Sequence, residues 1–493
     1  MRIGALAELA PRPGRVVVLR PTPECQAAAD AAPVSPGAPS FLQADHLDAY
    51  RAKVAAGGAH RAWTGTAGEF DADFFESAYA AALTAFVRRH EGLRTWFDLS
   101  GEAPVRRLVP TEAIAFEAVE VEAPADWSTG WESLLVSLWD EQCRPDSWTP
   151  FLLGAIVHEE GFTYFWGCDH AFTDGASQLM VPAELGAAYA EALGADVEPL
   201  PEAGSFVTYA ADEQRLAAEC DSETPAVREW VDIVSRHGGR LPRFPVSLGL
   251  SAGETAPVRI RRWTALEGAE VDALEELCRA AGGRFTSGVF ALLAHAEQRL
   301  TGSSDYLGIT VLGTRSPQTA TSHGWFCNFG PVSLALGETF AETVRAAEVA
   351  FGTARELART PVHVPLGAMV AGGVLSPSEL TSPQMVSYLD VRKFPGAGTV
   401  PFDTGLHFTG EGRTANANLW VNRFADRFEL ATQSPDTEPG GSAVATYFEA
   451  VHDVLADLGL SVRPVEAAAS GGRACRDLPA GQPTGAEHAG HDR

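Results

Sequence analysis

The sequence predicts an α+β protein built from two lobes, on three observations. Segments of helical and strand periodicity alternate along most of the chain. A Gly/Pro-rich break over residues 238–257 divides that alternation near its middle. The chain has 493 residues, 45 % hydrophobic and 20 % charged, which is enough apolar material for two substantial cores and excludes wholesale disorder.

The elements follow in order. Residues 1–39 hold one strand, 15–20, and then a Pro/Ala-rich linker. The first lobe is expected over 40–240. Between Asp71 and His90, the apolar residues Phe75, Tyr79, Leu83 and Phe86 recur at helical spacing, with Asp71 or Asp73 as the expected cap. Residues 151–157 are a nearly unbroken apolar run, followed by Glu159-Glu160-Gly161. Phe162, Tyr164, Trp166 and Cys168 then alternate on one face, so the pair reads as a hairpin whose second strand runs straight into Asp169-His170. A helix fits from about 177 to 193. Beyond a linker at 241–257, the second lobe (258–466) shows helices at 270–281 and 286–300 and strands at 306–312, 332–336, 385–388 and 428–432. Residues 467–493 are rich in Ala, Gly and Pro and cannot bury enough surface to offset their ordering entropy, so they are expected to be a disordered tail.

Charge and cysteine usage exclude several classes. There are 37 Lys+Arg against 64 Asp+Glu, a net charge of −27, opposite to what a nucleic-acid binder needs. No run approaches the ~20 apolar residues that span a bilayer, and Glu8 interrupts the N-terminal apolar stretch where a signal peptide has none. Seven cysteines, odd in number and without a CxxC pair, suit a reducing compartment. The expectation is a cytoplasmic protein with neither a nucleic-acid nor a membrane partner.

The sharpest local feature is the stretch from Cys168 to Ser177, Cys-Asp-His-Ala-Phe-Thr-Asp-Gly-Ala-Ser. A strand delivers His170 to a loop, Asp174 follows four residues later, and Gly175 permits a tight turn. A neutral imidazole there can take a proton from an amine or hydroxyl, while the aspartate can fix the loop by pairing with an arginine. No HExxH motif or readable Asp/His cluster supplies a metal site, so neither a metal nor a bound cofactor is expected. Glycine-rich nucleotide loops and the Gly-x-Ser-x-Gly elbow are also missing.

Other segments connect this feature to a family. Arg89-His90-Glu91-Gly92-Leu93-Arg94-Thr95-Trp96-Phe97 matches the RHExLRTxF motif of nonribosomal peptide synthetase condensation domains. His170 to Ser177 resembles their HHxxxDGxS motif, with Asp169 in place of the first histidine, and Gly324 to Asn328 resembles their GxFxN segment. Weaker echoes at 40–43, 205–210, 363–366 and 390–392 keep the family's order, so the resemblance covers about residues 38–465.

That resemblance implies two chloramphenicol-acetyltransferase-like lobes forming a V, with the active site in a tunnel between them. It implies an enzyme of natural-product biosynthesis, working in trans, that transfers an acyl group from a phosphopantetheine thioester on a carrier protein to a small amine or alcohol. A CoA-dependent acyltransferase and a non-catalytic recruitment module are the alternatives. His170 would accept the proton, and the Gly175 N–H could stabilise the oxyanion. Asp174 would pair with Arg89, or failing that Arg94, as a brace. Asp169 could contact the acceptor or serve as a turn carboxylate. Ser177, Trp325 and Asn328 are candidates for the tunnel, Asn328 more as a buried amide tying the lobes together. Arg236, Arg240 and Arg243, with Arg259, Arg261 and Arg262 nearby, form a candidate dock for an acidic carrier or for CoA phosphates, unless they pair with neighbouring acids.

Overall fold

The computed structural model describes residues 1–381, 383–410 and 412–465. The tail expected to be disordered, 467–493, lies outside the described residues. Two seven-stranded sheets organise the chain. The first runs, in spatial order, Arg2–Ile3, Leu406–Thr409, Trp63–Phe70, Gly161–Asp169, Phe151–His158, Arg15–Pro21 and Phe116–Val121. The second runs Cys327–Ala335, Asp305–Gly313, Met385–Asp390, Asn418–Arg423, Arg427–Pro435, Ala256–Glu267 and Arg413–Thr414.

The hairpin forms as its alternation requires, with Phe151 opposite Cys168 and His158 opposite Gly161. Because strand side chains point alternately to opposite faces, Phe162, Tyr164, Trp166 and Cys168 enter one core. There they meet Tyr79, Leu83 and Phe86 of helix Glu76–Arg89 and Val181, Leu185 and Tyr189 of helix Gly175–Ala192. Phe165 points to the opposite face, where Trp131, Leu135 and Trp139 of helix Trp127–Gln142 cover the sheet. Gly167 leaves room there for the Trp139 indole, which a Cβ would approach to 2.4 Å. The hairpin is therefore buried on both faces, and the end of its second strand is a rigid mount for the residues that follow.

Three expectations change. The helix expected from Asp71 starts at Glu76, and its entry is not capped by Asp71 or Asp73. The Tyr189 hydroxyl takes that role: it accepts from the Phe75 N–H (2.9 Å) and donates to the Asp73 carbonyl (2.6 Å). Residues 1–39 are integral to the first lobe, because Val16, Val17, Val18 and Leu19 are fully buried between two neighbouring strands. The 241–257 linker is pinned down, with Leu241, Phe244 and Leu248 buried. One strand also crosses over. Leu406–Thr409 lies between second-lobe strands in sequence but pairs with Trp63–Phe70 in the first sheet.

Helix Phe285–Thr301 and helix Glu438–Asp457 pack on the second sheet through Val289, Phe290, Leu293, Tyr447, Phe448 and Val451. Two glycines test how tightly the layers fit. At Gly65 a Cβ would lie 2.2 Å from the Trp166 carbonyl oxygen of the adjoining strand, whereas at Gly352, inside helix Phe340–Leu357, it would meet nothing within 4 Å. Gly65→Ala is expected to lower stability by about 1–3 kcal/mol or more through backbone displacement. Gly352→Ala is expected to raise it by about 0.5–1 kcal/mol. Chemical denaturation of the two variants checks both signs.

Candidate active site

The strand Gly161–Asp169 ends on Asp169, a short turn carries His170 to Phe172, and Asp174 caps helix Gly175–Ala192 by accepting from the Ser177 N–H at 2.7 Å. This turn faces the second lobe. Arg315, just past strand Asp305–Gly313, grips Asp174 with both terminal nitrogens, at 2.8 and 2.9 Å. The Phe326 N–H donates to the same carboxylate at 2.9 Å. Ser177 extends the junction: its hydroxyl donates to the Gly324 carbonyl at 2.9 Å and accepts from Arg315 at 2.7 Å. Asp174 and Ser177 are both buried.

Burial works against ionisation of Asp174, but the Arg315 guanidinium and the converging donors outweigh it and hold the carboxyl at about 2. With its oxygens so occupied, Asp174 is a brace and not a base. The brace expected from sequence is present with a different partner. Arg89 bonds Glu184, Thr321 and the Pro201 carbonyl, and Arg94 donates to the Val109 carbonyl. His90 joins this second network, through Glu184 at 2.8 Å and the His323 N–H at 3.2 Å. The start of the Arg89-to-Phe97 motif thus ties helix Gly175–Ala192, through Glu184, to the segment at Thr321 and His323, and does not bond Asp174.

His170 keeps partial exposure while its Nδ1 is buried without a hydrogen-bond partner among the described residues. Burial, reinforced by nearby His46, pushes its pKa below the ordinary imidazole value and favours the neutral ring. Trp325 lies against it, with ring centroids 4.2 Å apart. A Cβ at Gly175 would meet only Leu389, at 4.0 Å, so the backbone there is open to close approach.

Asp169 is fully buried and caps its own turn through the Ala171 N–H at 2.9 Å. Two residues distant in sequence close on it: His46 Nε2 at 3.0 Å and His60 Nε2 at 3.1 Å, with 3.3 Å between the two nitrogens. The absence of a readable Asp/His cluster in the sequence therefore does not carry over to the fold. Neither histidine belongs to a spacing motif: packing of helix Phe41–Ala55 against the turn brings His46 to Asp169, and pairing of strand Trp63–Phe70, with Trp63 opposite Asp169, brings His60. Arg315 was equally hidden, three residues beyond a strand that was legible.

The remaining candidates fall elsewhere. Asn328 does not tie the lobes together. Its amide donates to the Ala358 and Thr360 carbonyls and accepts from the Phe329 and Val362 N–H groups, all within the second lobe. Arg236 pairs with Glu229 and Arg243 with Glu379, leaving Arg240 without an acidic partner among the described residues. Arg259 and Arg261 face Asp436, and Arg262 bonds Glu8. These six arginines are largely compensated. A cleft of about 460 Å³ instead opens beside Arg315, lined also by Tyr209, Thr314, Asn328, Arg355 and Arg359.

Residues 59–364 match the family model described as condensation domain. The chain belongs to the condensation-domain family. Among its relatives, the Mycobacterium tuberculosis protein named 2'-acyl-2-O-sulfo-trehalose (hydroxy)phthioceranyltransferase PapA1 is 29 % identical, over 92 % of this chain and 89 % of that protein. Acyltransferase PapA3 of the same species is 27 % identical, over 92 % and 96 %. The solved structure of a PapA2 acyl transferase superposes with a TM-score of 0.81 at 25 % identity, covering 93 % of this chain and 99 % of that one. The first condensation domain of the calcium-dependent antibiotic synthetase superposes at 0.64 with 18 % identity, over 87 % and 99 %, a likeness of fold. The two sheet-bearing lobes are thus the chloramphenicol-acetyltransferase-like arrangement of condensation-domain proteins.

The Asp174–Arg315 pair makes a measurable claim. Asp174→Asn is expected to cost about 3–5 kcal/mol, because Arg315 would be left buried without its counter-charge. The folded carboxyl sits at about 2 against an ordinary 3.8. The ionised pair therefore stabilises fully above pH ~4, and that stabilisation, about 2–3 kcal/mol, is lost as the pH falls toward 2. Denaturation midpoints measured from pH 7 to pH 2 are expected to converge for wild type and Asp174→Asn at the acid end. Midpoints that stay equally far apart would show that the pair does not carry this stability.

Proposed function

We propose that this protein is an acyltransferase that moves an acyl group from a phosphopantetheine thioester to a hydroxyl of a small, polar acceptor, forming an ester. The observation that carries the reading is the division of labour in the Asp169–Gly175 turn. Both carboxylates are enclosed by close partners, Arg315 and backbone N–H groups at Asp174 and two imidazoles at Asp169, whereas His170 keeps a ring biased toward neutrality and access to solvent. A thioester already has a good leaving group, so the catalyst mainly orients the nucleophile and takes one proton. His170 accepts the hydroxyl proton as oxygen attacks the thioester carbonyl; the C–S bond then breaks and the proton leaves with the thiol. The Gly175 N–H, at the N-terminus of a long helix, is the candidate donor to the transient oxyanion.

The relatives favour oxygen as the nucleophile, since PapA1 and a trehalose-2-sulfate acyltransferase, PapA2, carry trehalose derivatives in their names. A sugar or related polyol is the acceptor class that follows. The amide-forming reading of peptide synthetases keeps its support from the shared fold alone. For the donor, the cleft beside Arg315 is the candidate phosphate site, because Arg355 stands at it without an acidic partner among the described residues, next to Arg359, which pairs with Glu356. A carrier-borne and a CoA-borne thioester share that phosphate chemistry.

His170→Ala is expected to lower kcat by about 10²–10⁴ with an unchanged thermal midpoint, measured as ester formation from acyl-CoA or acyl-carrier and a polyol. Near-normal turnover in a folded variant would remove His170 from the chemistry. For the donor, the double variant Arg355→Ala/Arg359→Ala is expected to raise KM for the phosphopantetheine thioester several-fold. A short acyl-N-acetylcysteamine donor, which lacks phosphate, should be indifferent to it. Equal damage to both donors would place those arginines outside donor recognition.

A further inference from the structure

Outside the proton-transfer machinery, the most unusual grouping is the cluster of His46, His60 and Asp169. We propose that it binds a divalent transition-metal ion of the zinc type through His46 Nε2, His60 Nε2 and the Asp169 carboxylate. The separations are the first reason. Donor atoms held at about 2.0–2.2 Å from one zinc ion and roughly 100° apart lie about 3.2 Å from each other. Here the two Nε2 atoms are 3.3 Å apart, and each closes on its own oxygen of the one carboxylate, His46 at 3.0 Å from Oδ1 and His60 at 3.1 Å from Oδ2. Two imidazoles and one carboxylate are also a donor set suited to this class of ion.

Proton bookkeeping is the second reason. Each Nε2 carries either one hydrogen or a lone pair. If both carry hydrogen, both bond Asp169, and the 3.3 Å contact sets one N–H beside another. If either lacks hydrogen, its contact with Asp169 sets a lone pair against a carboxylate oxygen. No distribution of protons satisfies all three contacts, whereas one cation attracting three lone pairs does. The site is also sheltered. Asp169 is buried, the His46 and His60 side chains are each only 8 % exposed, and Trp325 and Tyr50 flank the two rings.

The ion would join three separate segments: helix Phe41–Ala55, the stretch leading into strand Trp63–Phe70, and the end of strand Gly161–Asp169. Three protein ligands correspond to a centre that keeps one position for water. Its place next to His170 makes it a latch on the turn that presents the imidazole. Asp169, standing where the family motif has a histidine, supplies the negative charge that such a centre needs.

The test uses the full chain after chelator dialysis, with zinc(II) and cobalt(II) as probes and no activity readout. The wild type is expected to take up one equivalent of zinc, to show the visible absorption of low-coordinate cobalt(II), and to gain thermal stability on loading. His46→Ala and His60→Ala are each expected to weaken binding more than about 100-fold, beyond the 10–100-fold cost of removing a mere supporting residue. The variant His488→Ala/His491→Ala, altered only in the C-terminal tail, is expected to bind as wild type does. Asp169→Asn keeps the shape but removes the charge, and loses affinity without unfolding. The proposal falls if the wild type takes up no zinc or cobalt at micromolar concentrations. It also falls if uptake persists undiminished in His46→Ala and His60→Ala, or disappears with the tail histidines.

Discussion

The buried ion pair between Asp174 and Arg315 is the constraint on which the rest of the site depends. Its partners are 141 positions apart and follow strands of different sheets, Gly161–Asp169 and Asp305–Gly313. Burying either charge alone is costly, and pairing in two-pronged geometry with further donors is what makes it tolerable. The Phe326 N–H and the Ser177 hydroxyl complete that shell, so the loop bearing Gly324 and Trp325 is drawn against the His170 turn by the same interactions. Registry between the lobes and the environment of the imidazole are therefore one problem with one solution.

The turn is also an example of similar residues separated by context. Asp169 and Asp174 are five positions apart, both buried, both held near 2, and both helical caps, one of a short turn and the other of a long helix. One is surrounded by imidazoles from its own lobe, the other by a guanidinium from across the junction. His170 lies between two fixed negative centres yet is desolvated enough to stay neutral. The saturation of its neighbours leaves it the free site for proton transfer.

Much of this was legible before any coordinates. Period-two alternation in 162–168 and period-3.6 spacing at Tyr79, Leu83 and Phe86 record which faces are buried, and burial is what hydrophobic patterning encodes. The His170–Gly175 stretch was legible because chemistry, turn geometry and helix capping all act within eight residues. Arg315, His46 and His60 were not, since a contact made by tertiary packing leaves no periodic trace. Arg89 misled for a related reason: a matched motif signals that a residue is constrained, without saying by whom, and here the constraint is Glu184. The helix entry at Glu76 was misplaced because a tyrosine hydroxyl from a distant helix substitutes for the local cap.

The strand Leu406–Thr409 has a consequence for biosynthesis. It hydrogen-bonds to Trp63–Phe70 on one edge and to Arg2–Ile3 on the other, so the first sheet draws on residues 2–3 and on others some four hundred positions later. Until that late segment leaves the ribosome, strand Trp63–Phe70 presents an open edge of the kind that recruits foreign strands. A nascent chain halted at the lobe boundary would therefore be incomplete as well as short. The two lobes cannot mature one after the other as beads on a string; they finish together, when the returning segment closes the earlier sheet.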